Sequence, residues 1–546
     1  MLKFLNNLYP LYINVLLLRS MKKNHFLQKI YPVLSIIFLF VLGLGRLEAE
    51  EPKSENIASG STGSGEEFNN LKNGVRRYVL ENGLRVIVYR RENAPVFTGQ
   101  VWVGVGGVDE RPGNTGSAHF LEHLAFKGTT TVGTKDYEQE KVLLEEYNAL
   151  FDIKNKQSKN EQTKNEEAKN EEEAAKISAR LAEVEKKLRA IWIDNQFSQI
   201  YESKGAEDLN AQTAKDYTMY VVSLPKNSFE LWTFMEADRI INPVFRQFYD
   251  EREVIREERR SNYDDSPQGK MYEQLLFAAY QKHPYRFSNI GFAKDIEQIP
   301  LSEVKWLHET FYRPDNMVVT LVGDLDPEEA VKVIEKYFGK LKNPESKKPT
   351  IDIVEPVQAK ERTTKLSDPN SQPYLVLAYH KPTYPNIDDS YITLLHQLLA
   401  GGRTSVLYKE LVLEKKLATG ISTTEAPGSR YPTLFILEAS PAIGVSNEKL
   451  KSEIDKILER ISNTGFSDED IEAAKRRSKV EFLSSLNSNP GLASTLGSYE
   501  LLFGNWSTIF DLHAQLNTTT NQDLKRVLKT YFIKSNRTVG FIERSK

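Results

Sequence analysis

The sequence contains no cysteine, and this absence excludes a whole class of chemistry. Disulfides, thiol nucleophiles, iron–sulfur clusters and cysteine-ligated zinc sites all need a thiol. Any bound metal must therefore be held by histidines and carboxylates. Only eight histidines are present among 546 residues, so their placement is informative.

An excess of charge of either sign is also missing. The chain has 72 Lys and Arg residues against 75 Asp and Glu residues, for a formal net charge of −3. No global basic field exists to hold a polyanion, and the aromatic residues are not interleaved with a basic patch, so we expect no nucleic-acid partner. Hydrophobic residues make up 40% and charged residues 27%, which excludes a wholly disordered or fibrous chain.

The apolar run near the N-terminus is too short for a comfortable membrane span of about 20 residues. Residues 21–49 instead combine a positive start, a short apolar run and a small residue at the end, as in a secretory signal. We therefore predict that residues 1–49 are a targeting segment, with translation starting at Met1 or at Met21, and that the protein is exported to a periplasm or cell envelope. An uncleaved N-terminal membrane anchor is the alternative. Residues 50–72, which include a Gly- and Ser-rich stretch, are predicted to be a flexible linker.

Two segments repeat along the chain. Residues 304–322 and 524–542 align at an offset of 220, with a helix, a turn and a strand predicted in each. A second, weaker match joins residues 121–128 to 394–401 at an offset of 273. Strands and helices mix in both copies, so the predicted fold is α+β, with two homologous domains in tandem.

The two offsets differ by 53, which indicates an insert of about that length in the first copy. From residue 154 the sequence becomes a low-complexity run of Lys, Asn and Glu, flanked on both sides by helical apolar spacing. We predict a helical hairpin with a charged tip at about residues 138–197. It is either a solvated decoration or a partner-docking arm.

The sequence His119-x-x-Glu122-His123 carries the clearest chemistry. On a helix the two histidines lie at i and i+4 on one face, where they can bind one zinc, and Glu122 can reach a water on that zinc. A pair of surface histidines is the alternative. A third ligand is sought in the acidic run of residues 250–260, where Glu251 and Glu258 stack on one helical face. Without the other motif, this run is typical of a solvated charged helix.

Three features occur in order: His119-x-x-Glu122-His123, Gly205-Ala-Glu-Asp-Leu-Asn-Ala-Gln-Thr213, and Glu251 followed seven residues later by Glu258. Their combination resembles the pitrilysin/insulinase family of zinc metallopeptidases, and in particular its processing-peptidase-like branch. The resemblance covers roughly residues 73–546. It implies half of a peptidase clamshell, with a catalytic domain at 73–345 and a non-catalytic peptidase-like domain at 346–546.

The resemblance also implies roles for individual residues. His119, His123 and Glu258 match the zinc ligands. Glu122 matches the general base that activates the metal-bound water. Glu251 matches an acid that steadies the metal ligands. Asn210-Ala211 matches the edge strand that holds peptide substrate.

The resemblance implies zinc-dependent proteolysis of peptides or unfolded protein segments. In the second copy Ile392 and Leu395 replace the first histidine and the glutamate, so that copy is predicted to be catalytically silent. Family members often supply an Arg/Tyr pair from the second half, but the matching strand here has no Arg, and Arg430 is interpreted as a turn residue. We therefore expect a homodimer, or a heterodimer with a related peptidase-like subunit. The alternative function is a non-catalytic or weakly active structural or partner subunit of a processing-peptidase-like complex.

Overall fold

The computed structural model describes residues 71–160 and 167–545. The predicted targeting segment and nearly all of the predicted linker lie outside the described residues, as does the centre of the predicted charged tip. In the part of the chain that is described, no helix is both long enough and apolar enough to cross a membrane.

The strands belong to two sheets. They are β1 (Val75–Val79), β2 (Arg85–Arg90), β3 (Val96–Val103), β4 (Glu207–Thr213), β5 (Thr218–Pro225), β6 (Met317–Gly323), β7 (Arg362–Ser367), β8 (Tyr374–Lys381), β9 (Ala418–Ala426), β10 (Thr433–Pro441) and β11 (Arg537–Glu543). The helices of the first half are α1 (Ser117–Leu124), α2 (Tyr137–Asn160), α3 (Glu167–Ile191), α4 (Gln196–Glu202), α5 (Phe229–Ile241), α6 (Phe248–Arg259), α7 (Pro267–Ala279), α8 (Ala293–Gln298), α9 (Leu301–Phe311) and α10 (Pro327–Phe338). Those of the second half are α11 (Ile387–Leu399), α12 (Asn447–Thr464), α13 (Asp468–Ser485), α14 (Asn489–Phe503), α15 (Thr508–Thr518) and α16 (Asn521–Tyr531).

Both sheets have the same topology. The first runs β1-β2-β6-β3-β5-β4 and the second β7-β11-β8-β10-β9. Each has one parallel pair, β2 with β6 and β7 with β11, and is otherwise antiparallel. The predicted α+β fold with two homologous domains is confirmed, and the second sheet differs by having no counterpart of β1 among the described residues.

The repeat at an offset of 220 is visible in the backbone and in one side chain. Helices α9 and α16, and strands β6 and β11, begin and end at equivalent positions. The shared asparagines have the same task, because Asn316 Nδ2 donates to the Phe311 carbonyl at 2.9 Å and Asn536 Nδ2 donates to the Tyr531 carbonyl at 2.8 Å. Each amide satisfies a carbonyl that the end of its helix leaves without an intrahelical partner.

The two halves exchange a helix. Helix α14 of the second half packs on β3 and β6 of the first sheet, where Leu492 and Leu496 are buried against Trp102. Helix α7 of the first half packs on β7 and β11, where Met271 and Leu275 contribute to the core of the second sheet. The predicted domain boundary between residues 345 and 346 therefore falls between two sheets whose cores are each completed by the other half.

Helices α2 and α3 lie where the helical insert was predicted, and they pack against each other through Tyr147, Leu181 and Leu188. The base of the pair is joined to the body by a buried ion pair between Glu140 and Arg246. The pair also contacts α6, because the ring of Phe151 stacks on Tyr249 with centroids 3.5 Å apart.

Candidate metal and catalytic site

Helix α1 carries the His-x-x-Glu-His sequence, and its first turn is fixed by a half-buried carboxylate. Glu110 accepts hydrogen bonds from the backbone N–H groups of Gly116 and Ala118, at 3.0 and 2.9 Å. Gly116 has a φ of 94°, and a Cβ there would lie 2.3 Å from the Ile290 carbonyl oxygen, so only glycine fits. These constraints set the direction in which the helix presents its functional side chains.

Helix α6 supplies the acidic residues. It packs on α1 through Phe120 and Phe248, whose rings stack with centroids 4.6 Å apart and an interplanar angle of 5°. Glu251 and Glu258, two turns apart on α6, therefore both face α1.

The structure brings the three predicted ligands together. One ligand atom each from His119, His123 and Glu258 forms a group in which all atoms lie within 4.8 Å of one another. Glu258 Oε2 is 3.7 Å from His119 Nε2 and 3.5 Å from His123 Nε2. Two imidazole nitrogens and one carboxylate oxygen that share a face with a cavity match a catalytic zinc site, which keeps a further position for water or substrate. The residues present therefore fit zinc.

Glu251 contacts His123 through the ring nitrogen that does not face Glu258. Its Oε2 is 3.3 Å from His123 Nδ1, and its other oxygen is paired with Lys127. Burial acts to raise the pKa of Glu251, but the hydrogen bond from His123 and the charge of Lys127 outweigh it and lower this pKa. A charged Glu251 accepts the proton on Nδ1, which leaves the Nε2 lone pair of His123 free to bind a metal.

The two histidines have opposite electrostatic surroundings. Burial, followed by the nearby His123, lowers the pKa of His119. Burial also acts to lower the pKa of His123, but hydrogen bonds to Glu251 and Glu258 raise it to about 9. Within the part of the chain that is described, the buried Nδ1 of His119 has no hydrogen-bond partner.

Glu122 is buried on the same helix, and the hydroxyl group of a strand residue holds its carboxylate. Thr213 Oγ1 donates to Glu122 Oε2 at 2.6 Å. Thr213 is the last residue of β4, so the sheet edge and the carboxylate are joined directly. Neither Thr213 nor Lys127 has a role predicted from the sequence. Thr213 was the last residue of the quoted motif, and Lys127 lies one helical turn beyond His123, but neither spacing predicts a contact by itself.

Asn210 and Ala211 lie in β4 at the edge of the first sheet, where they pair with Val221 and Tyr220 of β5. Asn210 is exposed, and its own Oδ1 accepts the backbone N–H of Ala211 at 2.9 Å. The outer edge of the strand is therefore close to the site and is partly capped by this side chain.

A cavity of about 520 Å³ opens beside His119, Thr213 and Glu258. Neutral polar and aromatic side chains from the π-helical turn at Arg260–Asp264, from α7 and from the following loop form most of the remaining wall. Glu438 of β10 is the contribution of the second half. Among the described residues, no Lys or Arg lines this cavity.

The second half has a larger cavity, of about 630 Å³, beside His396. This histidine, the counterpart of His123, is 3.0 Å from Glu425 and stacks on Phe435. Ile392 and Leu395 are fully buried core residues. The helix equivalent to α1 therefore packs a core instead of presenting a ligand set.

Arg430 lies in the loop between β9 and β10, in agreement with its interpretation as a turn residue. Its guanidinium donates to the Asp216 carbonyl at 2.6 Å, and the backbone N–H groups of Ser429 and Arg430 donate to the Asp216 carboxylate. The Arg430 side chain thus joins the two halves and is not among the residues that line the cavity beside His119.

Comparison with known families gives two matches. The sequence profile described as "Insulinase (Peptidase family M16)" matches residues 85–186 and 190–291. The profile described as "Peptidase M16 inactive domain" matches residues 298–478. Together these matches cover most of the described chain, and the second one begins within the first half and extends into the second.

This chain aligns with curated relatives over most of the length of both proteins. The zinc protease PqqE of Helicobacter pylori is 28% identical over 470 residues, which is 85% of this chain and 91% of that protein. The uncharacterized zinc protease YmxG of Bacillus subtilis is 22% identical over 84% of this chain and 96% of its own. A probable mitochondrial-processing peptidase subunit beta of Schizosaccharomyces pombe is 24% identical over 82% of this chain and 86% of its own.

Solved structures show the same architecture. A protease from Helicobacter pylori matches with a TM-score of 0.71 and 25% identity, covering 86% of this chain and 99% of the other. The first half of the periplasmic protease PqqL from Escherichia coli matches with a TM-score of 0.63 and 18% identity, covering 86% and 92%. Against full-length PqqL, the match covers 48% of that chain.

Proposed function

We propose that this chain, which belongs to the M16 (insulinase) family of peptidases, is a zinc metalloendopeptidase that cuts peptides or unfolded protein segments. The observation that carries the proposal is the convergence of His119, His123 and Glu258 next to the buried carboxylate of Glu122. Curated relatives named zinc proteases support the same chemistry.

In this proposal His119, His123 and Glu258 hold zinc. When bound, zinc supplies a Lewis acid and makes a water molecule acidic enough to react near neutral pH. Glu251 is a positioning residue, because it orients His123 through Nδ1 and is itself held by Lys127.

Glu122 is the proposed general base. It takes a proton from the attacking water and passes it to the leaving amine, a role that needs a carboxylate fixed within hydrogen-bond reach. Thr213 fixes one oxygen of that carboxylate by its 2.6 Å hydrogen bond, which leaves the other oxygen for the proton transfer.

The proposed substrate is a peptide in extended conformation, added as a further strand beside Asn210 and Ala211 on the outer edge of β4. The ladder ends at Thr213, so a peptide added there is led toward Glu122 and the cavity. The Asn210 side chain has to release the N–H of Ala211 for the new strand to pair.

We further propose that residues 73–345 form the catalytic domain and residues 346–546 its non-catalytic partner, as one half of a clamshell. A match to 48% of full-length PqqL supports a half-sized unit, and a homodimer or a heterodimer with a related subunit would complete the enclosure. Export to a periplasm or cell envelope is the proposed location. It is supported by the signal-like residues 21–49 and by a structural neighbour described as periplasmic.

One observation favours a second candidate, a weakly active or non-catalytic partner subunit. In the part of the chain that the structure describes, no Lys or Arg lines the cavity to stabilise a developing oxyanion beside the metal, and Arg430 is bonded to Asp216. The intact ligand set favours the enzyme instead, because a purely structural subunit has no use for a buried carboxylate beside a metal site.

The experiment is hydrolysis of unstructured peptides of graded length by the purified zinc-loaded chain, alone and with any co-purifying protein. We expect cleavage that chelation abolishes and zinc restores. Cleavage that begins only after a second protein is added would establish the partner-subunit function. Zinc-loaded chain that cleaves nothing under either condition would refute the peptidase assignment. Exposed Glu459→Gln, on α12, is a matched control that should behave like the unaltered chain.

A further inference from the structure

Glu438 is a carboxylate that the second half places in the catalytic cavity. Along β10, Leu434 and Ile436 face α7 and belong to the core beneath that helix. Alternate residues of a strand share a face, so Glu438, two residues farther on, lies on this side as well. The cavity lies beside the first turns of α7, and Tyr272 of α7 and Glu438 both line it.

The surroundings of Glu438 contain no compensating cation. Across the described ranges, 71–160 and 167–545, no Lys, Arg or His forms an ion pair with it. Its partners are hydroxyl groups, since Ser422 Oγ donates at 3.4 Å and Tyr374 donates a further hydrogen bond. Burial, followed by the charge of Glu438, raises the pKa of Tyr374. This phenol therefore remains a neutral donor.

The rest of the cavity makes this isolated carboxylate available to a ligand. The other acidic group in the lining, Glu258, and the one imidazole among the described lining residues, His119, are both proposed metal ligands, and no described Lys or Arg lines the space. Tyr263 and Tyr272 add two aromatic walls. A carboxylate with aromatic rings nearby attracts a guanidinium or an ammonium through charge-assisted hydrogen bonds and cation–π contacts, and it repels acidic side chains.

We propose that Glu438, with Tyr263 and Tyr272, forms a subsite that binds an arginine or lysine side chain of the peptide substrate, so that the second half selects basic substrates for the site in the first. The proposal deepens the proposed function and rests on it for the identity of the ligand as a peptide.

The test separates binding from cleavage. Zinc-loaded chain carrying Glu122→Gln is titrated with a fluorescent unstructured peptide that contains one arginine, and with twins in which citrulline or glutamate replaces that arginine. Citrulline keeps the shape of arginine but has no charge. We expect the arginine peptide to bind about tenfold more tightly than its citrulline twin, which corresponds to one partly screened charged contact.

Adding Glu438→Gln should bring the arginine-to-citrulline ratio close to one, and Glu438→Lys should make the glutamate twin the better ligand. Glu459→Gln, which removes an exposed carboxylate from the same half, should leave the ratio at about tenfold. An arginine-to-citrulline ratio that stays at about tenfold in Glu438→Gln would overturn the proposal. A ratio near one in the chain with native Glu438 would overturn it as well. A ratio that depends on Glu438 in a chain that cleaves no peptide would uphold the subsite and refute the peptidase.

Discussion

Replacing Thr213 with valine removes one hydrogen bond from the proposed general base while keeping the shape of the side chain. Thr213 Oγ1 donates to Glu122 Oε2 at 2.6 Å, and both groups are buried. A hydrogen bond to a charged group in such a setting contributes about 1.5–3 kcal/mol. If that contribution is needed to hold Glu122 in the reactive geometry, kcat/KM should fall by about 10- to 150-fold.

The assay is steady-state hydrolysis of one peptide by zinc-loaded Thr213→Val, with zinc content measured on the same sample. Zinc should remain at about one per chain, because Thr213 contacts none of the three proposed ligands through a hydrogen bond. Thr98→Val is the matched control, since Thr98 is a buried threonine of the same sheet whose hydroxyl bonds Ser223 at 2.8 Å. It should lose stability by a similar amount and keep its kcat/KM.

Two results would refute this reasoning. Unchanged kcat/KM in Thr213→Val would show that the bond to Glu122 does not position the base. Equal loss of kcat/KM in Thr98→Val would show that the effect comes from the sheet as a whole.

Further predictions concern the metal, the insert and acid stability. Glu251→Gln should weaken zinc binding by about 10- to 100-fold in a chelator competition, whereas Glu253→Gln, on an exposed face of α6, should not. Arg246→Met leaves Glu140 buried without its cation and should lower the free energy of unfolding by about 3–5 kcal/mol in a denaturant titration. An unchanged free energy of unfolding would show that the ion pair is dispensable. Burial acts to raise the pKa of Glu425, but its partners His396 and Lys381 outweigh this effect and lower the pKa to about 2. The stabilisation by charged Glu425 is therefore present above pH 4.5 and is lost as the pH falls toward 2. The difference in unfolding free energy between the unaltered chain and Glu425→Gln should shrink between pH 5 and 2. A constant difference over this range would contradict the prediction.

The parts of the fold that the sequence predicted are those with a local or repeated signal. The offset of 220 located α9, β6 and their counterparts because each helix, turn and strand is a continuous segment with its own apolar period. The i, i+4 spacing of His119 and His123 predicts a shared face for the same reason. The prediction that Glu258 is the third metal ligand depended on the family resemblance, because helical periodicity cannot relate residues on two separate helices.

The features that the sequence did not predict all depend on contacts between distant segments. Thr213 reaches Glu122 only because β4 ends beside α1, and a buried threonine in a strand looks like an ordinary strand former. The exchange of α7 and α14 between the sheets has no local signature, since an amphipathic helix does not indicate which sheet it covers. Glu438 likewise enters the cavity only because α7 crosses to the second sheet.

The central claim is that Glu122 performs the proton transfer at a site that His119, His123 and Glu258 build for zinc. The most direct measurement is zinc content together with peptide hydrolysis for purified Glu122→Gln and the unaltered chain. We expect about one zinc per chain in both proteins, with hydrolysis lost in Glu122→Gln. Equal hydrolysis by the two proteins at equal zinc content would contradict it.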